Sequence, residues 1–547
     1  MTSYRAPVRE MEFVLAEVAK LDELASLPGY GDATPDLVAH VLGEAARFAE
    51  EVLAPLNRTG DVTASRLENG VVRTPEGFAA AYRSFVEGGW NSVPFEVEHG
   101  GQGLPWAVAI ALQEMWNAAN MSFALCPLLT QGAVELLQTH GTPEQKRLYL
   151  APLVEGRWTG TMNLTEPQAG TDLGAIRTRA VRDGDGYRIF GQKMFITYGE
   201  HDLAENIVHM VLARTPDGPP GIKGLSLFIV PKRLPDSDGR PGRHNDLRCV
   251  SLEHKLGIKA SPTCLMSYGD DGGAVAYLVG EENRGVEYMF TMMNNARLSV
   301  GVQGLAIAER AYQQARDYAL TRVQGRAAAS RAGDSVPIVR HPDVRRMLMT
   351  MRSTIEAMRG LVYFSAGALD RAKRHPDEAV RADCQALVDL LIPVVKGWCT
   401  DQGTAVASLG IQVHGGIGFI EESGAPQHLR DARITSIYEG TNGIQAIDLV
   451  GRKLMRDGGA AAHRFLAEVA ATARELSDAG PADEMMGRRL AAAAAELERA
   501  TRWLVETYPR NVELALAGAS PYLALFGTVA GGWTLMRQAQ ASARRAT

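Results

Sequence analysis

At 547 residues the chain is longer than one ordinary core, and two to four domains are expected. Hydrophobic residues make up 46% and charged residues 22%, which fits a globular protein with a large interior. A net charge of −6 argues against a nucleic-acid binder that works by neutralising phosphates.

In chain order, the first texture is helical, from Asp36 to about Arg157. Leu37, Val41, Ala45 and Phe48 recur at helical spacing, and Gly141-Thr142-Pro143-Glu144 reads as a helix stop followed by a new N-terminus. Gly100 to Pro105 interrupts this region as a loop. Near Thr159 the texture changes. Asp183-Gly184-Asp185-Gly186 predicts a turn leading into a hairpin strand, and Ile207–Ala213 and Leu225–Val230 are short apolar runs of the kind buried strands show. Helical periodicity returns after Gly285. Leu305, Ala308, Tyr312, Ala315 and Ala319 form one stripe, Val344 to Val362 a second, and Cys384, Leu387, Leu391, Val394 and Trp398 a third. Such stripes predict a helical bundle. Ala327 to Asp334 reads as a flexible loop within it, and an alanine-rich helical tail follows Arg456. The expected division is therefore a helical region (1–158), a β domain (159–283), a helical bundle (284–455) and an added helical domain (456–547).

No basic region followed by an apolar run opens the chain, and no stretch of about 18 apolar residues offers a membrane span. Cys126, Cys249, Cys264, Cys384 and Cys399 are scattered and never spaced Cys-x-x-Cys. That suits reduced thiols in a cytoplasmic protein. No metal site is expected, since His414 has no second ligand at a suitable spacing.

The chemistry concentrates in Ile437-Tyr438-Glu439-Gly440-Thr441-Asn442-Gly443-Ile444-Gln445. Here one carboxylate sits in a glycine-flanked loop behind an aromatic ring. Away from bulk water its pKa rises, and it becomes a useful base near neutrality. Alone, such a glutamate reads as solvated surface. Two upstream segments change its meaning: Thr165-Glu166-Pro167-Gln168-Ala169-Gly170-Thr171-Asp172 and Lys193-Met194-Phe195-Ile196-Thr197.

Together these three segments resemble the acyl-CoA dehydrogenase family, over about Ala45 to Arg452. The resemblance implies a mainly α fold with a central β domain: an N-terminal helical domain, a β-barrel-like middle domain and a four-helix bundle, with the extra C-terminal segment added. It implies FAD lying between β domain and bundle, and an acyl-CoA thioester as substrate. Glu439 would take the α-proton while the β-hydrogen leaves as hydride to flavin N5, giving the trans-2-enoyl-CoA. The enolate oxygen would be held by the base residue's own amide and a flavin ribityl hydroxyl. Leu164, Thr165, Phe195 and Thr197 would contact the flavin, with Phe195 where the family often has tryptophan. Thr171, Asn294, Arg297, Tyr438 and Gly440 would serve the substrate, Asn294 standing where some members have an acidic residue. Arg322, Gln324, Gln412, Gly415 and Gly416 would reach the diphosphate and adenosine of a neighbouring subunit's FAD, and Thr441 and Asn442 would also serve FAD. Gly416-x-Gly418 is no dinucleotide fingerprint, because it follows a helical stripe and lacks a third glycine.

Gly257 to Cys264, Gln168 and the long tail are similar to a larger subgroup of that family. That subgroup includes 3-methylmercaptopropionyl-CoA dehydrogenases and broad-range fatty acyl-CoA dehydrogenases. The resemblance implies electron-transfer flavoprotein as acceptor and a homodimer or homotetramer. An acyl-CoA oxidase shares base and flavin and stays open as a reading. DNA-associated relatives need a basic C-terminal surface, whereas residues 451–547 hold 13 Lys/Arg against 10 Asp/Glu, an excess of 3.

Overall fold

The computed structural model describes residues 4–327, 334–479 and 481–546. The segment 328–333, which covers most of the loop read at Ala327 to Asp334, lies outside the described residues. By contact the chain divides into two units. One comprises Met1–Glu50, Leu104–Ala119 and Arg297–Thr547, and the other Glu51–Gly103 and Asn120–Ala296.

The second unit holds the strands: β1 (Arg66–Glu68), β2 (Val71–Arg73), β3 (Trp158–Asn163), β4 (Arg179–Asp183), β5 (Gly186–Thr197), β6 (Asn206–Arg214), β7 (Leu225–Pro231), β8 (Arg233–Pro235), β9 (Pro241–His244), β10 (Leu247–Leu252), β11 (Thr263–Tyr268) and β12 (Ala274–Leu278). The main sheet runs β10-β11-β5-β12-β7-β6-β3, with β4 beside β5. β4 and β5 form the expected hairpin, Asp183 opposite Gly186. β6 and β7 are buried at nearly every residue, which is why both read as unbroken apolar runs rather than alternating ones. Ile189, Val211, Phe228, Val230 and Met266 fill the core of this sheet.

Two helical expectations need correction. The span from Asp36 to Arg157 is not helical throughout, because β1 and β2 form a hairpin within it. Its turn is Asn69-Gly70, both at positive φ (52° and 80°), the geometry that matches the twist of paired strands. In the helix Pro35–Phe48 the buried face is Val38, Leu42, Ala45 and Ala46, so the stripe through exposed Leu37 and part-buried Val41 is one residue out of register. The stop at Gly141 is as expected. Thr142 caps the helix Pro143–Glu155 through Gln145 in a reciprocal capping box.

The first unit is helical. Its long helices Pro342–Arg374 and Glu378–His414 bury the predicted methionine and leucine–valine stripes. Among them lies a fully buried guanidinium. Arg359 donates to Glu114 (2.7 Å), Glu309 (2.9 Å) and Glu356 (2.9 Å), and the Tyr363 hydroxyl donates to Glu114 at 2.8 Å. One cation shared by several carboxylates cannot neutralise all of them. Burial raises the Glu114 carboxyl, and the surrounding carboxylates outweigh burial to hold Arg359 charged. The C-terminal helix Ala519–Ala546 packs on the bundle where Trp398 lies against Gly527 and Gly531. A β-carbon at either glycine would come within 2.2 Å and 2.5 Å of the indole, respectively.

Glu114→Ala leaves the buried Arg359 Nε and the Tyr363 hydroxyl without their acceptor, although Glu309 and Glu356 still pair with the guanidinium, and should cost about 1–3 kcal/mol for each stranded donor. A lower midpoint of chemical unfolding measures the loss, and an unchanged midpoint would contradict the compensating role of Glu114.

Candidate active site

Glu439 lies in a turn between the 3-10 segment Arg433–Ser436 and the short helix Asn442–Asp448. Its φ is 57°, a left-handed conformation rare for a residue with a side chain, and Gly440 follows at 82°. Gly440 needs this freedom, since a β-carbon there would come within 2.9 Å of the Gln445 amide. The turn is fixed from beneath. Gln445 Nε2 donates to the Glu439 carbonyl (3.0 Å) and the Gly440 carbonyl (3.3 Å), and Lys396 Nζ donates to the Gly440 carbonyl at 2.8 Å. Among the described residues the Glu439 carboxylate itself accepts no hydrogen bond. Burial therefore raises its pKa above the usual carboxylate range, while the charges of Arg297 and Lys396 pull only partly the other way.

Several expected site residues gather here. Tyr438 donates its hydroxyl to Gln303 Oε1. Arg297 is buried and pairs with Asp448 at 3.2 Å, so it is no surface ion pair. Thr441 caps the helix Asn442–Asp448, its hydroxyl accepting from the Ile444 amide. The Asn442 carboxamide is fully engaged on the helix Glu378–His414. It donates to the Gly397 carbonyl (3.0 Å), Thr400 Oγ1 (2.9 Å) and Asp401 Oδ1 (2.7 Å), and accepts from Lys396 Nζ (2.8 Å). These contacts make Thr441 and Asn442 anchors of the loop.

In the β unit, the register of β5 against β11 slips between Met266↔Lys193 and Cys264↔Ile196, so one extra residue sits on β5. That bulge places Phe195 at φ 58° and turns its ring outward, 56% exposed. Thr165 and Met194 are tied by a 2.9 Å backbone bond, and the Thr161 hydroxyl donates to the Thr197 carbonyl at 2.7 Å. Buried Lys193 donates to the Leu164 carbonyl (2.9 Å) and to Glu166 (2.9 Å). The buried Lys193–Glu166 ion pair thus joins the strand that carries Phe195 and Thr197 to the segment that carries Leu164 and Thr165. Thr171 is exposed, and Asn294 is half-buried.

Arg322 and Gln324 follow the helix Gly285–Thr321, while Gln412, Gly415 and Gly416 lie where the helix Glu378–His414 ends. The Tyr318 and His414 rings stack at 4.6 Å and bring the two segments together. All five residues are exposed, and nothing lies within 4 Å of where a β-carbon would stand on Gly415 or Gly416.

Family models match the chain in order. They are the acyl-CoA dehydrogenase N-terminal domain (39–157), middle domain (161–270) and C-terminal domain (283–455), then the acetyl-CoA dehydrogenase C-terminal-like domain (465–547). A 3-methylmercaptopropionyl-CoA dehydrogenase of Ruegeria pomeroyi is 52% identical, covering 97% of this chain and 90% of its own. The chain belongs to the acyl-CoA dehydrogenase family. It is an FAD-dependent oxidoreductase of the acyl-CoA dehydrogenase class. A broad-specificity linear acyl-CoA dehydrogenase of Mycobacterium tuberculosis, FadE5, is 36% identical over 98% of this chain and 90% of its own. In fold the chain matches an acyl-CoA dehydrogenase complexed with FAD from Bacillus anthracis, with a TM-score of 0.75 at 20% identity over 98% of this chain and 86% of that one.

Sequence reasoning missed Lys396 and Gln445 as supports of the loop in this acyl-CoA dehydrogenase. The signal for Lys396 was present: one ammonium inside Leu391-Ile392-Pro393-Val394-Val395-Lys396-Gly397-Trp398, an otherwise apolar helical run. Among the described residues, no helix is long and apolar enough to cross a membrane, and no group of three or more potential metal ligands occurs.

Burial pushes the Glu166 carboxyl up. The Lys193 charge and the Thr178 and Arg177 donors outweigh it and bring the pKa down to about 2. For Lys193 burial wins, and its pKa falls to about 8. A carboxyl lowered on folding stabilises above its unfolded pKa of about 4.3 and loses that contribution as pH falls toward its folded value. Glu166→Gln should therefore cost about 3–5 kcal/mol near neutrality. In urea unfolding, the gap from the natural protein should shrink as pH drops below about 4, and a gap independent of pH would refute the assignment.

Proposed function

We propose that Glu439 is the base that takes the α-proton of an acyl-CoA thioester in this dehydrogenase. The observation that supports this most is its half-buried carboxylate, which accepts no hydrogen bond among the described residues and is held in a left-handed turn. A carboxylate lacking donors keeps its basicity for the substrate's proton. The Glu439 amide N–H would polarise the thioester carbonyl so that the α-carbon can give up its proton, and FAD, when bound, would add a second donor. Bound FAD supplies the hydride acceptor.

Leu164, Thr165, Phe195 and Thr197 wall the flavin ring. An exposed aromatic face beside two threonine hydroxyls without hydrogen-bond partners among the described residues suits a flat ring edged by acceptors. Thr171, Asn294, Arg297, Tyr438 and Gly440 bind and orient the substrate, with Arg297 acting through its charge near Glu439. Arg322, Gln324, Gln412, Gly415 and Gly416 serve the diphosphate and adenosine of FAD held by a second copy. A forked guanidinium, two amides and open glycine backbone are the donors such a group needs. Phe419 (83% exposed), Ile417, Ile420 and Val323 lie along the same segments, an apolar surface suited to burial in a homodimer or homotetramer. Phe419→Asp should yield a smaller species by size exclusion with less bound FAD. Unchanged size and flavin content would refute this interface.

The substrate is 3-methylmercaptopropionyl-CoA or a fatty acyl-CoA, supported by the 52% identity to the Ruegeria pomeroyi enzyme of the first name and the 36% identity to the broad-specificity linear acyl-CoA dehydrogenase. Electrons pass to an electron-transfer flavoprotein in the cytoplasm. Glu439→Gln should retain FAD and lose about 10²–10⁴-fold in turnover; substantial turnover would remove the base assignment. Because the pKa of Glu439 is raised, the rate should fall on the acid side from a pH above the usual carboxylate range. Anaerobic 3-methylmercaptopropionyl-CoA should bleach the flavin faster than butyryl- or palmitoyl-CoA. Rapid recolouring in air would point instead to an oxidase.

A further inference from the structure

Lys396 is fully buried in the helix Glu378–His414, where a charge is expensive. Its ammonium meets two neutral acceptors, the Gly440 carbonyl and Asn442 Oδ1, each at 2.8 Å. Among the described residues it forms no ion pair. A neutral donor such as glutamine could serve the same acceptors without the cost of burying a cation. What the ammonium adds is charge, and the carboxylates that feel it are Glu439 and Asp401, with Arg297 opposing. Asp448 and Arg452 lie behind Arg297, and Arg433 lies beyond Asp401.

We propose that Lys396 is a positioning residue of the dehydrogenation reaction: it clamps the Gly440 carbonyl beneath the base, and its uncompensated charge keeps Glu439 ionised before substrate arrives. This rests on Glu439 being the base. Burial lowers Lys396 itself to about 7, so the ammonium persists across the acid range in which Glu439 must be kept from protonating. The two roles separate chemically. Glutamine at 396 keeps a donor and loses the charge, methionine loses both, and arginine keeps the charge on a larger head.

The test compares Lys396→Gln, Lys396→Met and Lys396→Arg in the FAD-loaded protein. It measures bound FAD per chain, thermal midpoint, and the pH profile of anaerobic flavin bleaching by 3-methylmercaptopropionyl-CoA and butyryl-CoA. Lys396→Gln should retain FAD and bleach within about threefold of the natural rate on the alkaline plateau. On the acid limb it should be roughly tenfold slower, one pH unit of displacement being tenfold in protonation. Lys396→Met should show the same displacement and be slower at every pH, while Lys396→Arg should keep the natural acid limb. The protonated-carboxyl infrared band absent from Glu439→Gln should persist to higher pH in Lys396→Gln. A uniform loss at all pH with an unmoved acid limb and infrared band would overturn the proposal, leaving Lys396 a structural lysine. So would a Lys396→Gln indistinguishable from the natural protein. If Lys396→Met does not fold, Lys396→Gln and Lys396→Arg still decide. Turnover retained by Glu439→Gln would instead overturn the base reading, so the two failures are distinguishable.

Discussion

The site depends on a backbone conformation that Glu439 would not adopt alone. A non-glycine residue at φ 57° carries a strain of about 1–3 kcal/mol and persists only when its surroundings over-determine it. Here they do. Gln445 holds the carbonyls on both sides of the Glu439–Gly440 link, Lys396 holds the second, and Thr441 starts a helix immediately after it. The donors that would relax a carboxylate are spent on the backbone instead. The strain and the basicity of Glu439 thus share one cause: the loop's polar partners point at its main chain.

Three of the buried charges among the described residues are met in three different ways. Arg359 is surrounded by carboxylates, so its charge is neutralised where it stands and serves helix packing. Glu166 is surrounded by donors, an ammonium, two backbone amides, a hydroxyl and the Gln168 carboxamide, which bind it to Lys193 on β5 and to Arg177 and Thr178 leading into β4. Lys396 has, among the described residues, neutral acceptors alone. Compensated charges specify structure, whereas a charge left partly uncompensated exerts its field on its neighbours. The contrast marks Lys396 as the one tied to chemistry.

Much of this was legible in the sequence, and the failures have physical reasons. The Asp-Gly-Asp-Gly turn, the capping signal at Thr142 and the methionine stripe of the helix Pro342–Arg374 are local patterns, and the structure carries all three. The hairpin at Asn69-Gly70 was missed although its turn dipeptide was visible, because three-residue strands give too little alternation to register. The Pro35–Phe48 stripe slipped by one residue because Leu37 and Val38, and Val41 and Leu42, are adjacent apolar pairs, and only packing chooses between them. The β5 bulge that turns Phe195 outward depends on the partner strand, about which β5 alone says nothing. The employment of Asn442 on a helix some forty residues earlier is likewise a tertiary fact; its Nδ2 reaches Gly397 at |i−j| = 45.

The helix Glu378–His414 joins these features. Lys396 and Thr400, one turn apart, share the face that receives the base loop. Trp398, two residues on and so roughly opposite, takes the glycines of the C-terminal helix. About 24 Å further along, at 1.5 Å per residue, the helix ends in the open turn at Gln412 to Gly416. Trp398 is wedged against Gly527 and Gly531, where no side chain could be accommodated. The C-terminal helix therefore braces the same rod that carries the lysine clamp. A rod packed on one face and bonded to the catalytic turn on the other leaves that turn little freedom to relax its strain.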